Sequence, residues 1–212
     1  MEKKYTDIIF DFGGVILNLD EYETFSQLAF FFECPPENVM PVLIENAGFL
    51  DYECGKITSE DFIVRVQQIS KKEISQEQFI SIWNAMLLDF PLKHVDLLKK
   101  LRAHFRIHLL SNTNELHIHA FRRNMRAQGI AESLEDMFDT VWYSSTVGMR
   151  KPYPETFITI MRNYTINPSR TLFLDDKIEN IEGAQKAGLD SILVTTENSI
   201  LRIFKEYNIE DM

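Results

Sequence analysis

Hydrophobic positions along the chain follow two rhythms. Four short, nearly unbroken apolar runs lie at residues 7–10, 106–110, 171–174 and 191–194, with a weaker one at 140–143. Runs of this length without polar alternation predict strands buried on both faces, as in a parallel sheet covered by helices. Between them the period lengthens to that of a helix. In "HVDLLKKLRAHF" the residues Val95, Leu98, Leu101 and Phe105 form one stripe, and "IEGAQKAG" closes on Gly188, a residue suited to a helix C-terminus. The fold class predicted is α/β, a Rossmann-like parallel sheet with helices on both faces.

Residues 20–90 are too many for one crossover helix, and their patterns are helical: "YETFSQLAFFFE", "PENVMPVLIENAG", "TSEDFIVRVQQIS" and "SQEQFISIWNAML". Thr58 or Ser59 can cap the third, with acidic residues behind it in the first turn. "PPE" and "DFP" supply breaks. The pattern predicts a small helical cap, residues 19–90, set into a core made of residues 1–18 and 91–212. Hinges are expected near residues 18–20 and 89–91.

Composition narrows the class. The 212 residues are 45% hydrophobic and 25% charged, an ordinary globular balance. A formal net charge of −10 argues against nucleic-acid or anionic-membrane partners, and it requires any phosphate site to carry its own local cations. Cys34 and Cys54 have no metal-ligand or disulfide-framework spacing and read as reduced thiols. Lysines precede the first apolar run, but Asp11 interrupts that run, so export is not expected and no stretch has the length of a membrane span. A cytoplasmic protein is expected. Oligomeric state has no signature in the sequence.

In an open parallel sheet, ligands bind beyond the carboxyl ends of the strands. Four strand ends here are polar: Asp11 after the first, Ser111 and Asn112 in "LLSNTN", Arg150 and Lys151 in "SSTVGMRKP", and Asp175 and Asp176 in "LFLDDKIEN". Each has a plain alternative as turn chemistry, a helix cap or a solvated loop. Adjacent acids after an apolar strand are costly unless a cation or hydrogen bonds hold them, which favours metal binding there. Together the four suit phosphoryl transfer. Asp11 would be the nucleophile, splitting hydrolysis into two displacements. Mg²⁺ prefers oxygen ligands and would offset developing charge. Ser111 can donate to a phosphate oxygen, Lys151 can meet the equatorial oxygens and keep Asp11 ionised, and the N–H groups of Phe12 and Gly13 can cradle the phosphate.

With these motifs in order, the chain resembles the haloacid dehalogenase-like (HAD) hydrolases, in the branch with a helical cap between the first and second motifs. "DFGGV", "LLSNTN", "GMRKP" and "LFLDDKIENIEGAQKAG" span essentially the whole sequence. Within the superfamily it is most similar to bacterial α-D-glucose-1-phosphate phosphatases, whose first motif also lacks a second Asp. The resemblance implies Asp11 as nucleophile, Ser111 as phosphate ligand, Lys151 as charge stabiliser and Asn112 beside the phosphate. It also implies Mg²⁺ held by Asp11, the Gly13 carbonyl and Asp176, with Asp175 close or acting through water. Asn180 would support the acidic loop.

Gly13 stands where the superfamily usually has a general acid/base. Its carbonyl remains for a metal, but proton delivery to the leaving oxygen is lost, a contribution of typically ~10²–10⁴-fold. Three accounts follow: a phosphatase of small sugar phosphates such as glucose 1-phosphate, a 2-haloacid dehalogenase, or a phosphate-binding protein without activity. Metal-ligating acids favour the first, and a phosphomutase is disfavoured. Substrate choice is expected from "NAGFLDYECGKI", where Phe49 and Tyr52 could cover a sugar and Asp51 and Glu53 could accept from hydroxyls. His117 and His119 are read as surface or packing residues, since two residues apart on a helix they point to different faces. The stretch "FSQLAFFFE" is read as cap core.

Overall fold

A computed structural model describes residues 4–206. Five parallel strands, β1 (Asp7–Phe10), β2 (Arg106–Ser111), β3 (Thr140–Tyr143), β4 (Thr171–Asp175) and β5 (Asp190–Leu193), form one sheet in the order β3-β2-β1-β4-β5. β1 lies at the centre, with Ile8 beside Ile107 and Leu172. Alternate residues point to opposite faces. Ile8 and Phe10 therefore enter one cluster, and Ile9 enters another with Leu110 and Phe173.

Helices cover both faces. On the first lie α6 (Leu92–Arg102), α7 (Glu115–Ala127) and α11 (Ile200–Glu206), through Leu98, Phe121 and Phe204. On the second lie α9 (Pro154–Asn163) and α10 (Ile178–Lys186), through Phe157 and Ile181. β2 and β4 each run one residue further than their apolar pattern, because Ser111 and Asp175 still pair with β3 and β5. That extension carries two polar side chains to the rim on rigid backbone. α6 starts at Leu92, two residues before the segment read as helical from His94, immediately after Pro91 ends the linker.

Residues after the first strand build a separate hydrophobic cluster. It is formed by α1 (Glu21–Phe32), the short helices α2 (Val39–Val42) and α3 (Phe49–Glu53), a wider π-type turn at Leu43–Ala47, α4 (Ser59–Ile69) and α5 (Gln76–Trp83). Thr58, not Ser59, caps α4 and closes a reciprocal box with Asp61; Ser75 and Gln78 do the same for α5. Phe62 is its centre, stacked on Tyr52 at 4.3 Å and edge-on to Phe79 and Trp83. The phenylalanine stretch divides by helical period. Phe32 is buried in this cluster, Phe30 is turned outward under Lys72, and Phe25 faces the cleft below. The reading of that stretch as cap core is thus corrected for Phe30, while Phe25 packs against the cluster and also lines the cleft.

The two connections pair with each other. Leu19 and Leu87 form an antiparallel bridge, flanked by Asp20 N–H to the Met86 carbonyl at 2.9 Å and Leu88 N–H to the Asn18 carbonyl at 3.0 Å. The Asn18 side-chain amide donates to Asp89 at 2.8 Å. The linkers are therefore a short ribbon rather than two loose strings. No helix among the described residues is long and apolar enough to cross a membrane.

Candidate active site

All four polar strand ends meet at one rim. Asp11 is nearly buried, and its N–H donates to the Leu174 carbonyl, which continues the sheet one residue past β1. Lys151 is 1% exposed, and its Nζ donates to Asp11 Oδ1 and to Asp175 Oδ2, each at 2.6 Å. Lysine is rarely this deep unless paired. Burial alone would discharge it, but the two carboxylates outweigh that and raise its pKa. Burial likewise pushes the Asp11 carboxyl up, to about 7; Lys151 opposes this, and Asp175 and Asp176 add to it.

Three acids around one buried lysine leave net negative charge at the rim, only partly offset by Lys177, which is paired with Glu21. Asp11, Asp175 and Asp176 each offer an oxygen, all within 4.8 Å of one another. Asp175 is the most occupied. It accepts from Lys151, from Asn180 Nδ2 at 2.9 and 3.0 Å, and from the Lys177 N–H at 2.9 Å. Asp176 Oδ1 is buried and has no partner among the described residues. Its neighbour Gly14 has φ +78°, and a Cβ there would fall 2.4 Å from Asp176 Oδ2, so glycine lets this carboxylate lie against the loop. An unpartnered buried carboxylate oxygen on a partly exposed residue, beside an under-compensated carboxylate, fits a hard divalent cation. Asp11, Asp176 and the Gly13 carbonyl are the oxygens with spare capacity, and Asp175 orients Lys151.

The loop after Asp11 is closed by Gly14 N–H to the Leu17 carbonyl and by the N–H groups of Ile16 and Leu17 to the Phe12 carbonyl. These bonds leave the N–H groups of Phe12 and Gly13 uncommitted at the cavity. Ser111 lines the same cavity, and its hydroxyl has no protein partner among the described residues. Asn112 lines the cavity as well, and its side chain also has a positioning role. Its side-chain amide donates to the Lys151 carbonyl and accepts from the Lys151 N–H, both at 2.9 Å, so it grips the backbone of the lysine. The same loop is seated on α10 so closely that a Cβ at Gly183 would fall 1.9 Å from the Pro152 carbonyl oxygen.

The cap residues separate. Glu53 and Phe49 line the cavity, which also takes in Asp11, Ser111, Lys151 and Asp176. Glu53 forms a short ion pair with Arg150. Its carbonyl accepts from Ser144 Oγ at 2.7 Å, which joins cap to core. Tyr52 does not face the substrate space, and that expectation is corrected. Its ring stacks on Phe62, and its hydroxyl lies between Ser59 Oγ and Asn114 Oδ1, behind the wall. Asp51 is on the outer side, paired with Lys56 at 3.1 Å.

Sequence reasoning missed three residues. Arg150 was read only as part of a basic loop, and its partner Glu53 lies 97 positions away, with no local pattern linking them. Asn114 joins Tyr52, Trp83 and His117 at the junction of cap and core. Leu19 carries no signal in the linker, yet a Cβ at Gly13 would fall 2.4 Å from its Cδ1. Leu19 thus fills the direction a side chain at position 13 would take. His117 is buried, donating Nε2–H to the Trp83 carbonyl at 3.0 Å, while His119 is exposed on the other side of α7.

Comparisons with known proteins identify the family. A D-ribitol-5-phosphate phosphatase of Bacteroides thetaiotaomicron is 25% identical over 87% of this chain and 89% of its own length. A HAD-family enzyme of the same organism, crystallised with magnesium and inorganic phosphate, is 30% identical with a TM-score of 0.80, covering 94% of this chain and 99% of that one. A HAD-like hydrolase of Porphyromonas gingivalis is 26% identical with a TM-score of 0.83, covering 96% and 98%. The family model described as haloacid dehalogenase-like hydrolase matches residues 8–194, and the chain belongs to that family.

Proposed function

We infer that the enzyme is a Mg²⁺-dependent phosphomonoesterase working through an aspartyl-phosphate at Asp11. The observation that carries this is the Lys151 Nζ held between Asp11 and Asp175 beside the unpartnered Asp176 carboxylate. A phosphate group entering the cavity would meet Ser111 Oγ and the N–H groups of Phe12 and Gly13. Asp11 attacks phosphorus through its free oxygen, and the bond from phosphorus to the ester oxygen breaks. The departing oxygen takes its proton from water. In the second displacement water attacks the same phosphorus, releasing phosphate and restoring the Asp11 carboxylate. Lys151 keeps Asp11 ionised and neutralises charge gathering on the equatorial oxygens. Mg²⁺ on Asp11, Asp176 and the Gly13 carbonyl would supply further charge compensation there.

The cation-suited carboxylates favour this reading over dehalogenation, for which Asp11 alone would suffice. The relative named for D-ribitol 5-phosphate supports a phosphate ester of a small alcohol. Glucose 1-phosphate, expected from the resemblance, is one of the sugar phosphates to be assayed. The reading is tested by phosphate release from an aryl phosphate and from sugar phosphates, with Mg²⁺ or EDTA. Turnover that needs Mg²⁺ and disappears in Asp11→Asn is expected. Metal-independent turnover, or an active Asp11→Asn, would overturn it.

A further inference from the structure

Beyond the reacting end, the cavity is strongly apolar. It encloses about 750 Å³, within the usual range for sites that take drug-sized molecules, about 300–1,000 Å³. The cap side of its wall is built largely from Leu19, Phe25, Met40, Ile44, Phe49 and Leu50. Ile44 and Leu50 remain 39% and 37% exposed, although their chain neighbours Leu43 and Phe49 are buried in the cap core. Apolar side chains gathered at a cleft and left open to water mark a surface that a ligand covers.

The acidic side chains on the same side of the wall are each held by one neighbour, which leaves acceptors but few donors. The Asp20 side chain caps α1 by accepting from the Glu23 N–H. Glu21 accepts from Lys177 at 3.3 Å, and Glu53 is paired with Arg150. Reading a polyol takes several free donors and acceptors, because each buried hydroxyl left without a partner costs binding. This wall offers few donors. Leu19 extends this apolar lining to the loop after Asp11, where it fills the direction that a side chain from position 13 would take.

We propose that the preferred substrate is the phosphate monoester of an apolar alcohol, its hydrocarbon part lying against Phe25, Met40, Ile44 and Leu50 while the phosphate meets Asp11, Ser111 and Lys151. This rests on the phosphomonoesterase reading above and adds the class of the leaving group. The reaction remains hydrolysis: one water is consumed, the ester oxygen leaves with the alcohol, and inorganic phosphate is released.

The test compares kcat/KM for linear alkyl phosphates of increasing length with that for ribitol 5-phosphate and glucose 6-phosphate, using the Mg²⁺-loaded enzyme. The leaving alcohols are all unactivated, so a trend with length reads burial. The expected rise is up to about fourfold per methylene until the cavity is filled, with octyl phosphate overtaking the sugar esters. Ile44→Asn and Leu50→Gln, both at partly exposed positions, should flatten the trend, lowering kcat/KM for octyl phosphate by a larger factor than for ethyl phosphate. A flat series with a sugar phosphate preferred would overturn the proposal and leave the phosphomonoesterase intact. No turnover of any ester, an aryl phosphate included, would remove both.

Discussion

Asn112→Ala should slow the enzyme without touching substrate. Asn112 makes two hydrogen bonds of 2.9 Å, one to each polar backbone group of Lys151. Each is worth about 1 kcal/mol net, so together they hold the lysine's backbone with about 2 kcal/mol. If that restraint keeps Nζ between Asp11 and Asp175, its loss corresponds to about thirtyfold in kcat. Asn112→Asp is the sharper control. It keeps an acceptor for the Lys151 N–H but sets a second oxygen against the Lys151 carbonyl, so it should do no better than alanine. Steady-state kinetics in Lys151→Met and in the double variant complete the cycle. Positioning through Lys151 predicts that Asn112→Ala costs little once the lysine charge is gone. A full kcat in Asn112→Ala, or an undiminished penalty in the Lys151→Met background, would refute the reasoning.

Two further outcomes follow from the buried polar groups and from Leu19. Burial depresses the pKa of His117 from the ordinary 6.5 to about 4, so the unfolded chain takes up the proton first. Its contribution to stability is complete above pH 6.5 and is lost as pH falls toward 4, amounting to about 3 kcal/mol; denaturant melts of His117→Gln should show a shallower acid limb in that window, and a limb parallel to wild type would contradict it. Gly13→Asp alone should be destabilised because its Cβ meets Leu19 Cδ1. Paired with Leu19→Ala it should gain activity on unactivated esters over Leu19→Ala alone, by up to about 10²-fold if the new carboxyl protonates the leaving oxygen. No gain in a folded double variant would show that this space is not next to that oxygen.

The sheet and the reacting end were legible in the sequence for one physical reason. Strands buried on both faces leave an unbroken apolar run, and the first polar residue after the run must stand at the rim. Asp11, Ser111 and Asp175 were placed that way, and the backbone carries them where the run ends. The cap was legible as helices but not as a surface. A helical period separates covered from uncovered faces, yet the covered side of a small cap includes both its own core and the cleft. Tyr52 and Phe49 sit on one five-residue helix, and nothing in their spacing says that Tyr52 turns to Phe62 while Phe49 reaches the cavity. Partnerships across long loops were equally hidden. The grip of Asn112 on Lys151 spans 39 positions, and the reading of Asn112 as a residue beside the phosphate came from its motif alone.

The account stands on Asp11 becoming phosphorylated. The most direct measurement is a rapid acid quench of the Mg²⁺-loaded enzyme during turnover of a radiolabelled phosphate ester, followed by peptide mapping. The account predicts label on the peptide containing Asp11, in an acid-stable but base- and hydroxylamine-labile linkage, and none in Asp11→Asn. Turnover with no labelled protein at any quench time, or label confined to another residue, would contradict it.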